Sequence, residues 1–517
     1  RAGNESVRTP VVSGTAIPPG PTPVSGGIEE DTTWYAGASP YILDMAVEVS
    51  ENATLTIEPG ARIEASGGGL VIKGKLVSSG GDKQLISFQS PDGQSWDGIV
   101  FEQVKGDDSI IEYTRIADAA IGVDCRSSSP VIRRNEFVNN QTAVRVSGGY
   151  AKPLIENNIV RKSRLIGMVI RDGAGPILTD NRIQHNDGIG LLIENAGAVL
   201  LKHNGITNNG GTGIVVRNSE TTISENNIYD NQPHNIEGNF QGKATGAGSN
   251  WWGDGDWKGL LDHISGRVSI DTILDGPFPG GAITPVPVLD RMLEGTITAD
   301  AILMLSNSPY RVAADFTVDS GAALSIQAGV TLLYDKQTSI ILKDGGIVAK
   351  GTKDHPITFT ASGSTPSPGD YMSAVRFSER TAVSSFFRYA IFRYATIALD
   401  VGYGMPEITY STIADSSQSG IRSGNDSAPR VLYNTIARNL GSGGIECVGL
   451  AKPKINHNNF DENTVAIQAF STIFIDARDN FWGTSPPDKS VIFGDNINIE
   501  PWLEIPEKDA FCGSCDL

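Results

Sequence analysis

Apolar residues return along this chain at a spacing near 23 positions, and a small polar residue announces most returns. The clearest unit is Asn-x-apolar, seen as Asn135-Glu-Phe137, Asn157-Asn-Ile159, Asn181-Arg-Ile183, Asn204-Gly-Ile206, Asn226-Asn-Ile228 and Asn250-Trp-Trp252. Its apolar member recurs after 22, 24, 23, 22 and 24 residues. A second series runs Ser411-Thr-Ile413, Asn434-Thr-Ile436, Asn458-Asn-Phe460 and Asn480-Phe-Trp482, at intervals of 23, 24 and 22. Midway through the intervals stand Gly-led runs such as Gly167-Met-Val-Ile170, Gly190-Leu-Leu-Ile193, Gly213-Ile-Val-Val216 and Gly444-Ile445. Short β-branched runs at this period predict one coil of three short strands and three turns, each coil stacked about 4.8 Å from the next. Two-helix repeats need a longer period and helix-forming patterns that are absent here. Asn suits the recurrent turn because it tolerates the left-handed backbone and its amide can bond neighbouring backbone. Stacked amides then predict a hydrogen-bonded ladder, with Phe137, Ile159, Ile183, Ile206 and Ile228 as one inward column.

The same plan is present twice. Ser39-Pro-Tyr41 is answered by Ser308-Pro-Tyr310, Ala151-Lys-Pro153 by Ala451-Lys-Pro453, and Asn250-Trp-Trp-Gly253 by Asn480-Phe-Trp-Gly483. The segments 47–88 and 316–359 alternate apolar and polar residues without the Asn signal, and read as the first coils. In the first of them Leu55, Ile57, Ile63, Leu70 and Ile72 should face the core. The Trp-Gly segments read as last coils and caps, since large aromatics can cover an open end. The expected fold is therefore all-β, two tandem right-handed parallel β-helices. The expected boundaries are a flexible Pro/Gly/Ser-rich arm at 1–30, a first β-helix at 31–276, a linker at 277–290, a second β-helix at 291–506 and a tail at 507–517.

Composition refines this picture. Hydrophobic residues are only 39% and there are 59 glycines, which fits thin cores and many turns. Against 41 Lys and Arg stand 59 Asp and Glu, a net charge of −18. Such a surface repels phosphate backbones and anionic headgroups, so nucleic-acid binding is not expected. No run approaches 18 apolar residues, so no membrane insertion is expected. Cys125 and Cys447 sit in strand-like runs and should be buried thiols. Cys512 and Cys515 form a terminal C-x-x-C without the following His of a haem site or a second pair for zinc, and predict a local disulfide. An oxidising, extracytoplasmic location follows, and the start at Arg1 reads as a mature or trimmed product.

The Asn-turn coils, with Trp96-Asp-Gly-Ile-Val100 and Pro356-Ile-Thr-Phe-Thr360, resemble the pectate-lyase-like superfamily over about residues 40–505. They are most similar to its periplasmic and bacterial cell-surface branch, which includes NosD-type copper-site accessory proteins. The resemblance implies the fold and is silent on activity, because the fold carries lyases, hydrolases, epimerases, adhesins and proteins of no known chemistry. Of the polygalacturonase elements only Asp107-Asp108 has a counterpart, and the epimerase D-P-H motif is absent. Copper handling would need clustered His, Met or Cys, whereas His185 and His203 fall at different offsets in adjacent coils.

A charged strip remains. Just past successive Gly-led strands come Arg126, Ser147, Arg171, Glu194 and Arg217, and two residues earlier Asp124, Arg145, Val169, Leu192 and Val215. Arg145, Arg171, Asp172, Glu194 and Arg217 could meet a charged sugar together, or could form a salt-bridge ladder on a solvated face. In the second copy Arg422, Glu446 and Gln468 occupy the comparable face. Asp254-Gly-Asp256 offers calcium ligands or an ordinary turn, and no cofactor is expected beyond that possible calcium. Trp251, Trp252, Trp257 and Trp482 offer cap packing or, for Trp257 above all, a stacking surface for a glycan. No catalytic residue is assigned. The expected role is a non-catalytic surface scaffold binding polysaccharide or a protein partner. The alternatives are a lyase or hydrolase of acidic polysaccharide, and a filament component that self-associates through its coil ends.

Overall fold

A computed structural model describes residues 18–102 and 108–513. The chain is all-β and its strands stack in parallel. It divides into two compact units. The first comprises residues up to Glu237 with Ser249–Asp256 and Leu274–Ile283; the second comprises Gly238–Gly248, Trp257–Ile273 and the chain from Thr284 onward. The last crossing from the first unit to the second, between Ile283 and Thr284, falls within 277–290, while 238–248 and 257–273 also belong to the second unit. Part of the 277–290 segment clasps the first unit, where the Phe278 amide donates to the Asn227 side-chain oxygen at 2.7 Å.

Each coil contributes three short strands. In the first unit one coil is Leu154–Glu156, Ile159–Arg161 and Ile166–Arg171. The next is Ile177–Thr179, Arg182–Gln184 and Ile189–Glu194. The registers Leu154 to Ile177, Val160 to Ile183 and Met168 to Leu191 place like residues over like. Alternation along each strand then sends one side chain inward and its neighbours out. Leu55, Ile57, Ile63, Leu70 and Ile72 are all buried, as the alternation of the first coils predicts.

The Asn ladder forms, with two differences from expectation. The amide of Asn181 donates to the Ile155 carbonyl at 2.8 Å and to the Asn204 side-chain oxygen at 3.0 Å, while its own oxygen accepts from the Asn158 backbone at 3.0 Å. The ladder member in the preceding coil is thus Asn158, not Asn157, and the inward column runs Phe137, Val160, Ile183, Ile206, Ile228. Ile159 is only half-buried, so the expected column was one residue out of phase there. The left-handed conformation also belongs to the residue before the ladder: Asn157 has φ 55°, Asp180 56° and His203 59°. A second ladder, Asn186 to Asn209 to Asn231, lies beyond the same strand with links of 2.8 Å each. The second unit repeats both, through Asn434 to Asn458 and Asn439 to Asn463 at 3.0 Å.

The paired motifs occupy matching places. Tyr41 and Tyr310 each receive a backbone N–H on the phenol oxygen, from Tyr35 at 2.7 Å and Met304 at 2.8 Å. Asn250 and Asn480 each end an Asn ladder at 2.9 Å. Trp252 and Trp482 behind them are buried. The expected flexible arm and the expected tail are both structured where described. Thr22–Ile28 pairs with Tyr41–Val49 as a first-coil strand, so the arm stops short of residue 30. Glu507 hydrogen-bonds Asn459 through its backbone N–H at 2.7 Å, and Phe511 is buried, so the tail is docked from 507 to 513.

Candidate functional site

The parallel register assembles the charged strip that the sequence predicts. Glu102, Arg126, Ser147, Arg171, Glu194 and Arg217 are successive partners in one column. Asp124, Arg145, Val169, Leu192 and Val215 form the column beside it. Their charges meet one another. Asp124 is fully buried and accepts from Arg126 Nε at 2.7 Å and from Arg145 Nε at 2.8 Å, with a further contact from Arg145 Nη2. The hydrogen bond to Asp124 raises the Arg145 guanidinium further above its ordinary value, against a smaller opposing effect of burial. Arg126 also reaches Glu102 at 2.9 Å. Arg217 lies between Glu194 at 3.9 Å and Glu237 at 3.7 Å, and Arg171 sits 3.2 Å from Asp172. An Arg–Asp–Arg clamp at one end and looser exposed pairs at the other make a neutralised ladder.

The comparable face of the second unit is a column of five, two more than expected: Arg376, Asp400, Arg422, Glu446 and Gln468. Arg376 lies 3.5 Å from Asp400, and Arg422 3.6 Å from Glu446. Burial pushes the Asp400 carboxyl above the usual carboxylate range, while Arg422 and Arg376 pull the other way. Sequence reading missed Arg376 and Asp400 because no Asn marks their coils. The signal was the apolar-polar alternation Val375-Arg-Phe377 and Leu399-Asp-Val401.

The other candidates separate. Asp254 accepts from the Asp256 amide at 3.3 Å, which is turn geometry. Among the described residues no group of three or more His, Cys, Asp or Glu is arranged to hold a metal ion. Trp257 is half-buried at the start of a short 3₁₀ helix, Trp257–Asp262. Trp251 packs against Tyr229 with centroids 4.7 Å apart, and Trp482 stacks on Phe460 at 4.6 Å. Asp108 is exposed, 3.9 Å from Lys75, while Asp107 lies outside the described residues. Cys125 and Cys447 are buried, and burial drives the Cys447 thiol far above its ordinary value. Cys512 is disulfide-bonded; Cys515 lies outside the described residues. Among the described residues no helix is long and apolar enough to cross a membrane.

One feature of the second unit had no counterpart in the sequence reading. Tyr389, Tyr410, Tyr433 and His457 stack on successive coils, with centroids 5.4, 5.1 and 4.9 Å apart. They hold the left-handed position before each ladder residue. The signal was a Tyr or His directly preceding the Ser or Asn mark at Tyr410, Tyr433 and His457, whereas Tyr389 precedes Ala390 and carries no such mark.

Comparison with known proteins agrees with this architecture. The family model described as "Right handed beta helix region" matches residues 97–253, and the one described as "Pectate-lyase like beta helix domain" matches 295–375. No curated protein matches the chain. Among solved structures, one of an arginine-to-alanine mutant of the PL6-family alginate lyase AlyGC is 11% identical, covering 93% of this chain and 97% of that one, with a TM-score of 0.16. A score that low bears on neither shape nor activity.

Proposed function

For this right-handed parallel β-helix repeat protein, we propose the role of a non-catalytic extracytoplasmic scaffold that binds polysaccharide. The observation that carries the reading is the Asp124 clamp. A buried carboxylate held by two guanidinium groups is committed to structure, and the exposed pairs beyond it present little uncompensated charge to a substrate. Long parallel sheets with neutralised outer columns suit presentation or adhesion better than bond cleavage. The disulfide at Cys512 supports an oxidising compartment. A second reading, glycoside or uronide cleavage, is favoured by one observation. Asp400 is a carboxyl raised by burial, with arginines on the coils either side and Glu446 further along, and such perturbed groups are candidate general acids.

The test is incubation with acidic and neutral polysaccharides plus calcium, following reducing ends, unsaturated-uronate absorbance and retention in affinity electrophoresis. Retention without turnover is the expected result. Turnover abolished by Asp400→Asn would replace the scaffold with an enzyme of the second unit. Turnover abolished by Arg171→Ala with Arg217→Ala would place the chemistry on the first unit's strip.

A further inference from the structure

Within the second unit, the C-terminal segment folds back across the stacked tyrosines. The Phe511 amide donates to the Tyr433 carbonyl at 3.3 Å, its carbonyl accepts from Thr412 Oγ1 at 3.1 Å, and its ring meets Tyr389 edge-on at 5.4 Å. Between this segment and the tyrosines lies a cavity of 760 Å³ whose walls include Lys353, Arg388, Tyr389, Tyr410 and Lys508. That volume falls within the usual range for ligand sites, about 300–1,000 Å³. A second cavity of 280 Å³ shares Arg388 and Tyr410 and continues to Tyr433. The two together follow the direction of coil stacking, which suits a chain molecule better than an isolated ion.

Several arginines of the unit are neutralised by carboxylates, whereas, among the described residues, the cations lining this cavity are not. Arg393 and Arg438 are held by Asp415, and Arg430 by Glu407. Arg388, Lys353 and Lys508 form no ion pair among the described residues, and all three are exposed. Two carboxylates, Asp354 and Asp509, also line the cavity, leaving a local excess of one positive charge. The net charge of −18 opposes an anion from afar, but repulsion is screened beyond about 8 Å at physiological salt, so the local cations decide. Arg388 lies 5.4 Å from the Tyr389 ring centre and 5.2 Å from that of Tyr410, which fixes its planar fork against the aromatic stack. Such a fork matches a carboxylate or sulfate through two parallel hydrogen bonds. The tyrosine faces are occupied by one another, leaving ring edges and hydroxyls, which can exchange hydrogen bonds with sugar hydroxyls.

We propose that this tail-covered cavity binds an acidic sugar residue of a glycan chain, its carboxylate or sulfate held by Arg388 with Lys353 and Lys508 beside it. The proposal rests on the polysaccharide-binding reading and locates it. The experiment is calorimetric titration of the full chain with tetragalacturonate, a heparin-derived tetrasaccharide, cellotetraose and pentaglutamate. The first two distinguish carboxylate from sulfate, the third is neutral, and the fourth is an acidic peptide. The expected result is binding of at least one acidic tetrasaccharide, with cellotetraose weaker by about tenfold or more. Arg388→Gln should weaken the acidic sugar by about tenfold or more, the effect of a lost charged hydrogen bond. Arg182→Gln, the same charge change in the first unit, should leave affinity unchanged, and matching thermal melts would show both variants folded. Acidic-sugar binding that survives both Arg388→Gln and Lys353→Gln would remove this site while leaving the scaffold reading intact. Pentaglutamate binding as well as the sugars would overturn the sugar assignment, and failure of every glycan to bind would remove both proposals.

Discussion

The two units place different side chains on the same turn. Before successive ladder positions the first unit has Tyr113, Arg134, Asn157, Asp180, His203, Glu225 and Ser249, a mixed polar series; the second has Tyr389, Tyr410, Tyr433 and His457, an aromatic stack, and then Asp479. All twelve residues hold φ between 47° and 59°. Tyrosine has no preference for that region, which costs a non-glycine residue about 1–3 kcal/mol. The conformation is therefore imposed by the hydrogen-bonded ladder next to it, and the residue that adopts it is left available for other uses. The first unit uses the position for local polar pairs, as where His203 meets Glu225 at 2.9 Å and stacks on Phe278 at 4.4 Å. The second uses it to wall a cavity.

This account can be broken at the ladder itself. Asn181→Leu and Asn434→Leu should each destabilise by about 3 kcal/mol or more, since each strands a buried backbone N–H and carbonyl. Urea unfolding followed by circular dichroism would measure both. A much smaller loss at Asn434 would mean that the tyrosine stack, not the amide, holds the second unit's turn. The next effect contrasts a clamp with a surface pair. Asp124→Ala should cost about 3 kcal/mol by leaving guanidinium charge without its buried partner, whereas Arg171→Ala should stay within about 0.5 kcal/mol. Equal losses would show the strip to be one cooperative network.

A smaller effect tests the phase of the inward column. Val160→Ala should cost about 2 kcal/mol and Ile159→Ala clearly less, because only Val160 is fully buried. The smallest is a pH dependence of opposite sign at two carboxyls of the second unit. Asp400 is raised by burial, so its ionisation costs stability as pH rises through the folded value. Asp400→Asn should match the parent in acid and exceed it above that value. Asp335 is held low by Arg311, so its contribution is present above the unfolded value and lost as pH falls through the folded one. Asp335→Asn should be the less stable protein at neutral pH, with the gap closing in strong acid. Melting temperatures across pH would check both, and parallel curves would contradict the assignment.

Much of the coil was legible because a solenoid repeats its constraints. One Asn every 23 or so residues declares a turn many times over, and the duplication of Ser-Pro-Tyr and Trp-Gly segments marks matching starts and ends. The strip from Arg126 to Arg217 was legible for the same reason, since parallel register turns equal spacing into contact. The phase slip at Asn157-Asn-Ile159 has a local cause: two adjacent asparagines both satisfy the pattern, and only the ladder decides that Asn158 is inside. The aromatic stack was hidden because its members share a position, not a residue type, with the polar column of the first unit.

The sequence by itself determined the period, the amide ladder and most of the core columns, because burial and backbone hydrogen bonding act alike on every coil. Tertiary structure alone decided which charges cancel, which asparagine faces inward and where a cavity opens. Those outcomes depend on neighbours a coil or more away, or on a tail folded back across several coils, and such distances leave no mark in local pattern.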